Sequence, residues 1–142
     1  MVYAISLQAF NGNDDSVLLQ LSATVYAKQV SVLVDFGSST SFINAKLITE
    51  QSQVRDLARI AKVKIANGDE LQCTSELFQC PWTVQNQEFC TTFKILPLGG
   101  FDIILGMDWL EQHNPYINWV TKKIAIRVNG VPVALQGQQV TL

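Results

Sequence analysis

The sequence is poor in charge and contains no long apolar run. Charged residues make up 15% of its 142 residues, against about 25% in an average soluble domain. Its 10 Lys and Arg side chains are balanced by 12 Asp and Glu, which excludes the basic surface that nucleic-acid binding needs. No apolar run approaches the ~20 residues of a membrane span, and the first residues lack the pattern of a signal peptide. We therefore expect an intracellular protein that binds neither nucleic acid nor membranes.

Metal-binding side chains are also scarce. The chain has three cysteines, at positions 73, 80 and 90, and a single histidine, His113. No two cysteines stand in a C-x-x-C pair, and a structural zinc site needs four ligands at closer spacing. We therefore expect free thiols in a reducing compartment and no metal.

What the sequence does have is enough apolar residues for one core. These residues make up 48% of the chain, and its length suits a single domain over residues 1–142. Because so few residues are charged, we also expect part of the surface to be covered by a partner, such as a second copy of the chain.

The local patterns predict mainly β-structure. Strands are predicted over residues 17–21, 24–26 and 30–34, and hairpin turns at Asn67-Gly68, near residues 85–87 and at Asn129-Gly130. Short helices are predicted over residues 45–51, capped by Asn44, and over residues 107–112. Residues 54–61 could be helix or loop. Many short strands with two brief helices indicate a small closed all-β fold.

One turn could carry chemistry. The apolar strand that ends at Val34 leads into Asp35 and then into Gly37, Ser38, Ser39 and Thr40. Backbone N–H groups and hydroxyls in such a turn can hold a carboxylate in a fixed orientation. Taken alone, the same segment also fits an ordinary strand-ending turn, where Asp is common.

A second segment favours the functional interpretation. Residues 99–110 read Gly-Gly-Phe-Asp-Ile-Ile-Leu-Gly-Met-Asp-Trp-Leu, an apolar strand that ends in glycine before a helix. Together the two segments resemble the retropepsin family of aspartic proteases. The order of motifs is most similar to the protease domain of gypsy-type LTR retrotransposon polyproteins, particularly those of plants. Other motifs fall in that family's order: residues 5–9, 32–43, 66–68 and 114–119.

The resemblance implies a fold, an activity and a set of residues. The fold would be a small closed β-barrel with one or two short helices, whose cleft lies on the two-fold axis of a homodimer. The activity would be endopeptidase processing of the element's own polyprotein, in the cytoplasm or in virus-like particles, without metal or cofactor. The implied residues are catalytic Asp35, the active-site loop Phe36, Gly37 and Ser38, the flap Ala66, Asn67 and Gly68, and the supporting strand Ile104, Leu105 and Gly106.

Phe36 departs from the family's triplet, which has Ser or Thr between Asp and Gly. In the family that hydroxyl bonds across the two-fold axis to the opposite loop. Losing a buried hydrogen bond costs about 1–3 kcal/mol, and forcing a ring into a tight loop costs about 1–3 kcal/mol more. The alternative function is therefore a catalytically impaired dimerisation or peptide-binding module.

Other residues fit structural roles better. Asp35-Phe36-Gly37 also spells a protein-kinase motif, but the other kinase motifs are missing and the chain is too short. A protease-like domain of ubiquitin-linked shuttle proteins is a third possibility, which residues 109–110 and 114–119 fit less well. We expect Asp102 and Asp108 to make structural hydrogen bonds. The three tryptophans should lie in the core, and His113 at a surface or helix end.

Overall fold

The computed structural model describes residues 2–5, 19–65 and 68–138. The strands in chain order are β1 (Val2–Ile5), β2 (Leu19–Val25), β3 (Lys28–Val34), β4 (Phe42–Asn44), β5 (Val54–Ile65), β6 (Glu70–Val84), β7 (Gln87–Leu96), β8 (Ile103–Leu105), β9 (Tyr116–Asn118), β10 (Lys123–Val128) and β11 (Val131–Gln136). A 3₁₀ turn covers Ala45–Leu47, and helix α1 covers Met107–His113.

Six strands close into a small barrel. They follow one another in the order β6-β2-β3-β8-β4-β7, and β7 pairs again with β6 to complete the ring. Strand β5 and then β1 extend the sheet beyond β6, while β9, β10 and β11 form a separate three-stranded sheet. The predicted all-β class with a small closed barrel is therefore confirmed. The cleft between two subunits stays a prediction.

The centre of the barrel is built from strands that are apolar on both faces. Val32, Leu33 and Val34 at the end of β3 are all buried, as are the three residues of β8 beside them. The two strands are parallel, with Val32 opposite Ile103 and Val34 opposite Leu105. Burial of one such side chain stabilises the fold by about 1.5–3 kcal/mol. The apolar runs in the sequence therefore mark the strands that carry the candidate site.

Aromatic residues fill one side of the core. Trp82 stacks on Phe89 with ring centroids 4.8 Å apart, and Phe89 lies edge-on to Trp109 at 5.7 Å. Trp82 and Trp109 are buried as expected, but Trp119 is 38% exposed. The prediction of a core position was wrong for Trp119, because its turn between β9 and β10 lies outside the barrel.

Tight turns join the antiparallel strands. Positive φ angles occur at Gln85 (48°) and Asn86 (66°), and at Asn129 (51°) and Gly130 (79°). These values fit the predicted hairpins, since a type I′ turn requires positive φ at both central residues. The turn between β2 and β3 uses positive φ at residues 26 and 27, which are Tyr and Ala and gave no such signal.

Several predicted boundaries moved. The two strands predicted within residues 17–26 are one strand in the described part, Leu19–Val25, and residues 17 and 18 lie outside the described residues, as do 6–9 of the family motif. Residues 54–61, left open between helix and loop, belong to strand β5.

The helix predicted over residues 45–51 is only a 3₁₀ turn. Asn44 caps it, accepting from the Lys46 N–H at 3.3 Å. Beyond Leu47, the Thr49 N–H donates to the Ser52 hydroxyl at 2.9 Å and the Gln51 N–H to the Thr49 hydroxyl at 3.2 Å. Such bonds from backbone to side chain compete with helical ones, which explains the early end.

The three cysteines are free, as predicted. Cys73 and Cys80 are buried, and burial raises the pKa of the Cys80 thiol to about 11. Among the described residues, no cluster of three or more His, Cys, Asp or Glu could hold a metal ion. No helix of the described part is long and apolar enough to cross a membrane.

Candidate active site

The end of β3 places Asp35 at the rim of the barrel. Its backbone N–H donates to the Leu105 carbonyl at 3.0 Å, which continues the pairing of β3 with β8 by one residue. Asp35 itself is only partly buried. The two apolar strands therefore deliver a carboxylate to the surface at a fixed position.

The following turn holds both oxygens of this carboxylate. The Gly37 N–H donates to Asp35 Oδ1 at 2.9 Å, and the Ser38 hydroxyl donates to Oδ2 at 2.9 Å. Ser38 is fully buried, so its hydroxyl is fixed by packing as well. The turn predicted to orient the acid does so, through Gly37 and Ser38.

The predicted supporting strand contacts this loop directly. Ile104 and Leu105 are buried in β8, and the Met107 N–H donates to the Ser38 carbonyl at 2.8 Å. A Cβ added to Gly106 would lie 2.2 Å from the Thr40 carbonyl oxygen and 2.7 Å from that of Ser38. Only glycine therefore allows the strand end and the loop to approach so closely.

Asp108 binds the far end of the same loop. It accepts from the Thr40 hydroxyl at 3.0 Å, from the Ser41 N–H at 3.2 Å and from the Ser41 hydroxyl at 2.6 Å. The Ser41 hydroxyl in turn accepts from the Gly106 N–H at 3.0 Å.

Asp102 is occupied in a similar way. It accepts from the Ser31 N–H at 2.9 Å and lies 3.6 Å from the Lys46 ammonium group. Both acids make the structural hydrogen bonds that were expected of them.

Phe36 points away from this network. Its side chain is 50% exposed, and its ring lies 5.8 Å from the Trp119 ring at an interplanar angle of 56°. Within one chain, the ring is therefore not forced into the loop, and the bonds to Asp35 form around it. No local pattern predicted this contact, because 83 positions separate the two aromatic residues.

Strand β1 links the loop to the predicted flap strand. The Ser39 N–H donates to the Ala4 carbonyl at 2.9 Å, and the Ala4 N–H donates to the Ser39 hydroxyl at 2.8 Å. The same strand pairs in parallel with β5, where Ile5 lies opposite Ile65. This connection was also missed, because the sequence does not show which strand lies beside β1.

The predicted flap is only partly described. Ala66 and Asn67 lie outside the described residues, while Gly68 is exposed, has φ 97° and donates to the Ile65 carbonyl at 2.9 Å. Strands β5 and β6 pair antiparallel up to Lys64 and Glu70. The hairpin itself is therefore present, whereas its role over a substrate stays a prediction.

The geometry limits what one chain can do. An oriented carboxylate can accept or donate a proton. Peptide hydrolysis by carboxylates alone needs a base for the water and an acid for the carbonyl oxygen. Since the sequence holds one such loop, a second Asp35 would have to come from another copy.

Comparison with known proteins agrees with this fold. The family model of the PEG10/RTL1 protease domain matches residues 31–130, more than half of the 142-residue chain. Among solved structures, the crystal structure of the retroviral protease-like domain of Ddi1 from Leishmania major is similar in fold, with a TM-score of 0.60. The match covers 88% of this chain and 97% of that one at 15% sequence identity. A search of curated proteins finds no match.

Proposed function

Since the chain belongs to the family of PEG10/RTL1 protease domains, we propose that it is an aspartic-type endopeptidase that works as a homodimer. The observation that carries this proposal is the geometry of Asp35. Both of its carboxylate oxygens are held by donors of its own loop, at the rim of the barrel. In a retropepsin-like homodimer each chain supplies one catalytic acid, so one such loop per chain is enough.

The mechanism follows from pairing two such acids. Two carboxylates a few ångströms apart cannot both ionise cheaply, so Asp35 and its copy share one proton. The charged member takes a proton from a bound water, which attacks the peptide carbonyl. The protonated member donates its proton to the carbonyl oxygen. When the C–N bond breaks, the proton taken from the water passes to the leaving amine, and the dyad takes back a hydroxyl proton. The pair titrates as a unit, so neither acid has a pKa of its own.

The β5–β6 hairpin is the candidate for the flap. It pairs with β1, which also bonds Ser39 of the catalytic loop. Closure of this hairpin over an extended peptide would exclude water from the dyad. The residues assigned to its tip are Ala66, Asn67 and Gly68.

The substrate we propose is a polyprotein that contains this domain. The order of motifs is similar to that of gypsy-type LTR retrotransposons of plants, in which the protease domain processes its own polyprotein. Cleavage between apolar residues, in the cytoplasm or in virus-like particles, is the expected setting. No cofactor is needed for this chemistry.

The alternative function is a silent module that dimerises or binds peptides without cleaving them. Phe36 is the observation in its favour, because it removes the hydroxyl that would bond across the two-fold axis. Such a module would still bind an extended peptide through backbone hydrogen bonds. The two functions differ in turnover rather than in fold.

Cleavage of an unfolded protein substrate at about pH 5 tests the proposal, because the shared proton requires mildly acidic conditions. Asp35→Asn serves as the blank, and a statine-type inhibitor as an independent check. Cleavage that both abolish supports the endopeptidase. No cleavage by a folded, dimeric chain favours the silent module, and Phe36→Ser is then the variant expected to restore activity.

A further inference from the structure

The catalytic loop is held from two sides. On the inner side, Asp35 bonds the Leu105 carbonyl and Ser38 accepts from the Met107 N–H. On the outer side, the Phe36 ring rests against Trp119. The inner contacts involve β8 and α1, whereas the outer contact reaches the turn after β9.

Trp119 lies in a turn that side-chain hydrogen bonds stabilise. The side chain of Asn118 accepts from the N–H groups of Val120 at 3.0 Å and Thr121 at 3.1 Å. The side chain of Gln136 donates to the Thr121 carbonyl at 2.9 Å, which ties the turn to β11. Trp119 therefore offers the loop a support that belongs to the second sheet rather than to the barrel.

The contact has the geometry of a stabilising aromatic pair. A centroid separation of 5.8 Å with tilted rings lies within the range that such pairs prefer. Phe36 adjoins Asp35 directly, so anchoring its ring restrains the backbone next to the acid. A misplacement of about 1 Å at a catalytic group can lower a rate ~100-fold.

We infer that Trp119 is a positioning residue for catalysis, which holds Asp35 in place through Phe36. The inference rests on the proposed function, since it concerns the rate of the same reaction. In the family, a Ser or Thr hydroxyl anchors the loop across the dimer. Here the aromatic pair of Phe36 and Trp119 would supply part of that anchoring within one chain. Phe36 then replaces the hydroxyl contact across the dimer with an aromatic contact within the chain.

The experiment compares cleavage by the full chain carrying Trp119→Ala, Trp119→Phe, Phe36→Ala or both alanines. Tyr116→Ala is the matched control, because it removes another exposed aromatic side chain of the same short segment. Trp119→Ala should lower kcat about tenfold with little change in KM, and Trp119→Phe should retain most of kcat. Sedimentation at the assay concentration shows whether each variant is still dimeric.

The double variant tests whether Trp119 acts through Phe36. If it does, the two alanines together should lower kcat no more than the worse single variant. Losses that multiply would overturn the inference. So would a Trp119→Ala loss no larger than that of Tyr116→Ala, or one that disappears when a higher protein concentration restores the dimer.

Fluorescence tests the contact without activity. Trp82 and Trp109 are 1% and 2% exposed, so acrylamide should quench Trp119 first. Phe36→Ala should increase this quenching, and an unchanged signal would overturn the inference. Absence of any Asp35-dependent cleavage by the wild-type chain would overturn the proposed function and this role with it, whereas wild-type cleavage that Trp119→Ala leaves intact overturns the role alone.

Discussion

Two aspartates, Asp35 and Asp108, accept hydrogen bonds from different parts of one loop. The first part of the loop serves Asp35, through the Gly37 N–H and the Ser38 hydroxyl. The second part donates to Asp108, through the Thr40 hydroxyl and the N–H and hydroxyl of Ser41. The loop donors of Asp35 are two and three positions away in sequence, whereas the loop donors of Asp108 are 67 and 68 positions away. Asp108 also accepts from the neighbouring Trp109 N–H at 2.7 Å.

The loop holds Asp35 in one orientation, whereas Asp108 holds the loop in place. Local donors give Asp35 one orientation while the strands bring it to the rim of the barrel. Long-range donors make Asp108 a clamp that fastens the loop to the start of α1. Two carboxylates bound by the same loop therefore have different expected roles, and this expectation rests on the partners of each acid.

Neutralising each acid in turn should give the largest contrast. Asp35→Asn is expected to reduce cleavage by more than about 1,000-fold and to leave the melting temperature nearly unchanged. Asp108→Asn should instead reduce stability by about 1–2 kcal/mol while the residual folded enzyme keeps its activity. Urea unfolding and peptide cleavage on the same samples check both, and equal losses of activity would refute the division of roles.

Gly106→Ala tests how tightly the two parts of the loop meet β8. The added Cβ would lie 2.2 Å from the Thr40 carbonyl oxygen, so the loop must shift. We expect a loss of about 3 kcal/mol or more in unfolding free energy. Gly130→Ala is the control, because a Cβ added there would have no atom within 4 Å and the only cost is the positive φ of 79°; its expected loss is about 1 kcal/mol.

Substitutions of the two buried serines of the loop should affect different properties, stability in one case and kcat in the other. Ser41→Ala removes a donor to Asp108 and leaves the Gly106 N–H without its partner, which should lower stability by about 2–3 kcal/mol. Ser38→Ala removes the hydroxyl donor to Asp35 and should lower kcat about tenfold with a smaller effect on stability. Chemical unfolding and steady-state kinetics of both variants distinguish these outcomes.

We expect the smallest effect on the pH dependence of stability. His113 is the last residue of α1, the helix that contains Asp108, and burial against the Trp109 ring at 4.4 Å lowers the pKa of its imidazole below 6.5. The unfolded chain therefore takes up this proton first, and stability falls as the pH drops through 6.5 toward the lower folded pKa. His113→Gln should show a smaller loss of melting temperature between pH 7 and 5 than the wild type, and an identical loss would contradict this account.

Much of the site could be predicted because its signals are local. The apolar runs of β3 and β8, the Asp-to-Ser turn and the glycine after Leu105 are all adjacent in sequence to the groups they position. The turns at Asn86 and Asn129 likewise follow from residues that tolerate positive φ. These elements need no knowledge of which distant strands meet.

What could not be predicted depends on distant contacts. The support of Phe36 by Trp119, the bonds between Ser39 and Ala4 and the clamp of Asp108 on Ser41 all join residues far apart in sequence. The first part of strand β5, residues 54–61, was not predicted as a strand for a related reason. Most of its first seven residues are exposed, so its pattern lacks the alternation that marks a half-buried strand.

The outward direction of Phe36 also has a consequence for how this sequence can change over time. Residues 37, 38, 40 and 41 each contribute a donor to one of the two carboxylates, and residue 39 binds β1. The side chain at position 36 takes part in none of these bonds. Substitutions there leave the donors of both acids in place and change only the contact with Trp119, so position 36 is where the loop can exchange one kind of support for another without losing these hydrogen bonds.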